Sequence, residues 1–301
     1  MDQNIPNHNP QGIEIQLIKT VFENNSAFIS FVQSTANQRT NQPRLLVFNE
    51  QALGRKTISR EQGKLLANTL HLAVKGKNTY LFYAVNEKMR RLHFSNNGYL
   101  IIPDSQSKMR LPYKVYPKLA TYSNGLSLTE YDEETARNNG LYPEIAAHNI
   151  RKANKKINSF PRITINGITI ELRVCADMRA QFTQDPVRAR KPLSPADLIL
   201  VPASGLTICE SEIKPLWKEV AKNGIIIIND AEKGQHILKK SNKEGEFVLK
   251  QLYAHGPRPL TFRINPRSFN LAQKKAIFTK RLTRITPQIG RTKIFRTLKR
   301  K

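Results

Sequence analysis

Cys175 closes a run of alternating apolar residues, Ile168-Thr169-Ile170-Glu171-Leu172-Arg173-Val174. An Asn166-Gly167 pair precedes that run and Ile165 lies before it, so the segment reads as a hairpin. Asn-Gly suits the two positions of a tight hairpin turn that need positive φ. Downstream, Ala196-Asp197-Leu198-Ile199-Leu200-Val201-Pro202 is a second apolar strand that opens into Ala203-Ser204. A thiol at the carboxyl end of one strand, beside another strand running into a loop, has the placement of a nucleophile in an α/β enzyme. Cysteine is also among the most buried residue types, so a small structural thiol is the competing reading. The other cysteine, Cys209, stands at the start of an expected helix and reads as structural.

The elements expected to hold this segment alternate between strand and helix. Strands are expected at Gly12–Lys19, Arg44–Glu50, Thr79–Val85 and Gly98–Pro103, from short alternating or continuous apolar runs. Helices are expected at Ser26–Ala36, capped by Ser26, and at Ser59–Gly76. Ser59 and Gln62 have capping-box spacing, with Leu65, Leu66, Thr69, Leu70 and Ala73 on one face. Asn96-Asn97-Gly98 reads as a turn, with Arg91–Phe94 completing an antiparallel ribbon. Residues 108–156 read as long polar loops with one helix at Glu144–Lys156. Beyond the hairpin come the Ala196–Pro202 strand, a helix at Ser211–Lys222 holding Trp217, and strands at Gly224–Asp230 and Phe247–Ala254. This order predicts an α/β fold with helix-covered sheets.

Charge divides the chain. The net charge is +26, and after Glu246 there are fifteen Lys or Arg residues and no Asp or Glu. Residues 257–301 therefore read as a basic C-terminal extension to a domain at 1–256. Lys274, Lys275, Lys280, Arg281, Arg284, Arg291, Lys293, Arg296, Lys299 and Arg300 are candidate contacts to nucleic acid or an anionic membrane surface. A solvated tail without a partner is the alternative. No apolar run has the length of a membrane span. Two cysteines are too few for a disulfide framework, and the six histidines show no paired metal spacing. No metal or cofactor is expected, and the compartment expected is reducing and cytoplasmic. The Asn- and Lys-rich composition with a basic tail would also suit a secreted bacterial effector.

The stretch from Ile165 to Asp177, followed by Ala196–Ser204, resembles the nucleophile region of the carbon–nitrogen hydrolase (nitrilase) superfamily. In that family a strand ends in Cys, an acidic residue often follows two positions later, and a Val-Pro strand comes next. Leu45-Leu46-Val47-Phe48-Asn49-Glu50 resembles the strand ending in the family's catalytic Glu, with Asn49 where the family usually has Pro. Tyr116-Pro117-Lys118-Leu119 is similar to its Tyr-x-Lys element, and Lys114 in Tyr113-Lys114-Val115 is the rival lysine. Trp217 and then Gly224–Asn229 are similar to the family's helix and its strand ending in Asn.

The resemblance implies a four-layer α-β-β-α sandwich of the nitrilase type and a homodimer. It implies an amide or nitrile hydrolase with Cys175 as nucleophile, Glu50 as base and Lys118 at the oxyanion, with the Ala176 backbone N–H beside it. Glu130 matches a supporting glutamate by spacing, with Glu133 and Glu134 close behind. Thiol, carboxylate and ammonium suit attack on carbon, proton transfer and oxyanion stabilisation respectively. The family usually has an aromatic-Pro-Glu element after the Cys, and this chain has Met178-Arg179-Ala180-Gln181-Phe182. That departure keeps open a catalytically silent scaffold that binds a polyanion through its tail.

Overall fold

The computed structural model describes residues 12–54, 57–88, 94–103, 112–117, 160–175, 194–206, 213–242, 244–252 and 259–264. The first sheet contains β1 (Ile13–Ile18), β2 (Arg44–Phe48), β3 (Thr57–Ile58), β4 (Thr79–Lys88), β5 (Phe94–Ile101) and β6 (Tyr113–Pro117). Its strand order is β13-β1-β2-β4-β5-β6, where β13 is Leu260–Ile264 and β3 flanks β4. The second contains β7 (Arg162–Ile165), β8 (Ile168–Leu172), β9 (Ala196–Ala203), β10 (Val220–Asp230), β11 (Gly234–Lys240) and β12 (Phe247–Leu252), in reverse sequence order. Two parallel cores lie inside these mixed sheets, β1-β2-β4 and β8-β9-β10.

Strand alternation assigns the faces. Ile13, Ile15, Leu17, Leu45, Val47, Phe82 and Leu100 of the first sheet share one buried cluster with Ile170, Leu172, Leu198, Leu200, Ile225 and Ile227 of the second. The sheets therefore pack face to face. The opposite face of the first sheet, with Leu46, Phe48, Leu81 and Tyr83, buries Phe28 and Val32 of α1 (Asn25–Ala36) and Leu66, Leu70 and Val74 of α2 (Arg60–Val74). On the far face of the second sheet Ile199, Val201, Ile226 and Ile228 are fully buried. The fourth, helical layer expected on that side is not seen among the described residues, of which Lys214–Lys218 form a 3-10 turn before β10.

Several expectations are met locally. The Asn166-Gly167 turn has φ of 49° and 77°, as a two-residue hairpin of this type requires. Ser59 and Gln62 form the capping box of α2. Others are corrected. Asn24, not Ser26, caps α1, its side chain accepting from the Ala27 N–H at 2.9 Å. Asn and Ser cap about equally well, and only the path of the preceding chain chooses between them. Leu65 is 67% exposed. The buried stripe of α2 is instead Gly63, Leu66, Ala67, Leu70 and Val74, because the helix leans where Gly63 has no side chain. A Cβ at 63 would overlap Glu87 Oε1 on β4.

Asn96-Asn97-Gly98 is not a turn but lies inside β5, paired with Ala84–Asn86. Tyr113–Pro117, read as loop, is a strand paired with β5. Within the expected Ser211–Lys222 helix, Lys214–Lys218 form a 3-10 turn and β10 already begins at Val220 opposite Ala196, while residues 211 and 212 lie outside the described residues. Strand β13 lies within the supposed extension and pairs with β1, so the sandwich reaches past residue 256. The Glu144–Lys156 helix falls outside the described residues.

Beneath α2, Glu87 accepts hydrogen bonds from Asn97 Nδ2 at 2.6 Å and from the Tyr99 hydroxyl. Burial raises the Glu87 carboxyl above its ordinary range despite these donors. A raised folded pKa means that this contribution is fully present below the unfolded carboxylate pKa and lost as pH rises through the folded value. Glu87→Gln is therefore expected to flatten the fall in stability above about pH 4.5, read as urea midpoints across a pH series. An unchanged slope would refute it.

Candidate active site

The parallel strands of both sheets end at one edge of the sandwich, and a single side chain ties those ends together. Asn229, fully buried near the end of β10, donates from Nδ2 to Ile18 O at 2.9 Å and to Val47 O at 2.8 Å. Ile18 and Val47 lie at the carboxyl ends of β1 and β2. Asn229 Oδ1 accepts from Gln235 Nε2 at 3.3 Å, so both ends of the amide are used. The next residue, Asp230, accepts four backbone N–H bonds: Gly205, Glu232 and Lys233 to Oδ1 and Leu206 to Oδ2. Asp230 thus fixes the loop after β9 beside the same edge.

Glu50 lies two residues beyond the end of β2 at Phe48. Asn49, between the end of β2 and Glu50, shapes the chain through its own hydrogen bonds. Asn49 Oδ1 accepts from the Gln51 N–H at 2.8 Å, its Nδ2 donates to Lys19 O at 2.7 Å, and its own N–H donates to Ile18 O at 3.3 Å. A proline could not supply that N–H. The side-chain turn of Asn49 therefore does the shaping that a fixed φ would otherwise do. Glu50 Oε1 accepts a hydrogen bond from Asn96 Nδ2 on β5.

Cys175 lies three residues beyond the end of β8 at Leu172. It has φ of 46°, a left-handed conformation rare for a residue with a Cβ, and its side chain is 2% exposed. Strain of this kind collects at functional sites, where surrounding structure overrides the local preference. The segment before it is held firmly. Arg173 is fully buried, donates to Glu171 Oε1 from Nε at 2.9 Å and Nη2 at 2.6 Å, and lies 4.1 Å over the Phe160 ring. Arg162 binds the other oxygen of Glu171 at 2.7 Å.

Strand β5 links the two candidates. A Cβ on Gly98 would lie 3.0 Å from Val174 Cγ2, so the backbone of β5 closely approaches the residue preceding Cys175. Asn96, two residues away on the same face, holds Glu50. Glu50 and Cys175 thus lie near one edge of the sandwich, Glu50 bonded to Asn96 and Cys175 next to the residue that Gly98 approaches. Tyr116 on β6 lies opposite Gly98 and packs against the same core; burial raises its phenol, which stays neutral.

Strand β6 ends at Pro117, opposite Asn97, at this edge. Lys118 itself lies outside the described residues, as do Ala176, Glu130, Glu133, Glu134 and Cys209. The ten basic residues from Lys274 to Arg300 do too. The rival Lys114 is described, opposite Leu100, two residues further from the edge than Tyr116. Among the described residues no cluster of His, Cys, Asp and Glu could hold a metal ion. The residues that sequence reasoning missed are Asn96, Gly98 and Asp230. Asn96 and Gly98 were legible only as turn-formers, a signal that pointed the wrong way.

No family model matches the sequence, and neither does any curated protein. Solved structures do match the fold. The chain is similar to an amidase from Nesterenkonia sp. with a TM-score of 0.51 and 14% identity, covering 84% of this chain and 89% of that one. The fold is that of the nitrilase superfamily. A double mutant of the Nesterenkonia sp. AN1 amidase in complex with acrylamide matches with a TM-score of 0.52 and 12% identity, over 88% of this chain and 94% of that one. A further mutant, carrying the acetamide moiety of fluoroacetamide on its active-site cysteine, matches with a TM-score of 0.52 and 13% identity, over 85% and 90%. The described mixed sheets agree with the α/β class expected from the sequence.

Proposed function

We propose that this protein hydrolyses the carbon–nitrogen bond of a small amide through Cys175. Two observations support the reading: Asn96 donates to Glu50, and two residues along the same strand Gly98 closely approaches Val174, the residue before Cys175. Glu50 takes the thiol proton, and the sulfur attacks the amide carbon to form a tetrahedral intermediate. The Lys118 ammonium and the Ala176 N–H stabilise its oxyanion. Glu50 then gives its proton to the leaving amine, the carbon–nitrogen bond breaks, and a thioester remains. Water, deprotonated by Glu50, attacks that thioester and returns the thiol. Glu130 supports the lysine, and the chemistry needs no cofactor.

Lys118 is preferred to Lys114 because β6 runs toward the edge. Lys114 lies about 10 Å of strand before Pro117, the last residue of β6, counting three residues at ~3.3 Å each. A nearly covered thiol favours a small substrate. The remaining outer helical layer, a homodimer and a basic tail that holds the enzyme to a polyanion complete the proposal. Fluoroacetamide provides the test. Displacement of fluoride by the Cys175 thiolate should add one acetamide moiety, located by peptide mass spectrometry. Addition at Cys209, or none, would overturn the assignment.

A further inference from the structure

Asn96 is 3% exposed, yet only half of its amide is used. Nδ2 donates to Glu50, while Oδ1 is buried without a hydrogen-bond partner. The other buried asparagines at this edge are unlike it. Asn49 and Asn229 each satisfy both ends of the side chain. A half-satisfied buried amide costs stability, and an apolar side chain of similar size would avoid that cost. Fold maintenance therefore does not account for an asparagine here, whereas the carboxylate it touches does.

Its position is equally specific. Asn96 faces the interior of the sandwich on β5, one pleat from Gly98, where the backbone meets Val174. The neighbouring Asn97 points to the other face and donates to Glu87. Successive asparagines thus hold one carboxylate on each side of the sheet, and only the inner one lies on the face whose Gly98 meets Val174, the residue before the proposed nucleophile. A donor on Oε1 restricts rotation of the carboxylate and so helps hold it in an orientation for proton transfer.

We propose that Asn96 is a positioning residue that orients Glu50 for transfer of the Cys175 proton. The inference rests on the hydrolase reading and adds a residue to it. Asn96→Leu is expected to lower kcat for butyramide hydrolysis by about ten- to hundredfold, with KM unchanged within about twofold. Its melting temperature should equal or exceed that of the wild type. In a Glu50→Gln background, where the proton acceptor is already lost, the same change should not slow fluoroacetamide addition to Cys175 any further. A purely structural Asn96 would instead lower the melting temperature, or slow addition equally in both backgrounds, and either result overturns the proposal. So does an unchanged kcat. If the wild type neither turns over amides nor is labelled on Cys175, the hydrolase reading itself fails. That outcome is separate from a wild type that reacts and an Asn96→Leu variant that reacts equally well.

Discussion

Cys175→Ala is expected to abolish amide hydrolysis, by at least about a thousandfold in kcat, while leaving the fold intact. The rate effect follows from covalent chemistry: without sulfur there is no thioester, and no other thiol is placed at this edge among the described residues. The small stability effect follows from the backbone. Residue 175 is left-handed at φ 46°, and alanine bears the same Cβ penalty there as cysteine. Only a buried sulfur is removed, a loss of about 1 kcal/mol by comparison with small core truncations. Ammonia release and thermal unfolding by circular dichroism measure the two effects. Undiminished turnover would sink the nucleophile; gross unfolding would show that the thiol is part of the packing instead.

Asn229→Asp should give the largest loss of stability at neutral pH, roughly 3–5 kcal/mol. The wild-type amide donates to Ile18 O and Val47 O, joining the two sheets at the edge that carries Glu50 and Cys175. An ionised carboxylate there would face two carbonyl oxygens in a site fully closed to water. The sign of its pH dependence is opposite to that of most paired carboxylates. Burial and facing acceptors raise the folded pKa of the introduced acid. Stability is then retained below its unfolded pKa and lost as pH rises through the folded one. Denaturant titrations at acidic and neutral pH should show partial recovery in acid. Equal loss at both would mean that volume, not charge, decides this position.

The contrast between those two residues shows what the sequence carried. Cys175 was legible because its context is local: an Asn-Gly turn, alternating residues and a following Val-Pro strand all lie close in the chain, and turn chemistry and period-two patterning are short-range physics. Glu50 and the resemblance of its strand were legible on the same terms. The α2 capping box was also read from residues three apart. What failed were features with two local solutions. Asn96-Asn97-Gly98 has turn composition, but the packing of β5 between β4 and β6 holds it extended. Leu65 fits a helical stripe, but Gly63 lets α2 lean onto Glu87 and rotates that leucine outward.

By itself the sequence determined which residue types could react and the order in which the chain presents them: Glu50, a lysine near Tyr116, then Cys175. Tertiary structure alone decided that Glu50 and Cys175 share an edge, because that depends on parallel pairing within each sheet and on how the sheets face one another. It also decided that Asn49 closes a side-chain turn onto the Gln51 N–H, and that Asn96 donates to Glu50. Hydrogen bonds such as Asn229 to Val47 span 182 positions of chain. No local propensity encodes a contact of that range; it exists only when hydrophobic burial of both sheet faces has fixed their register.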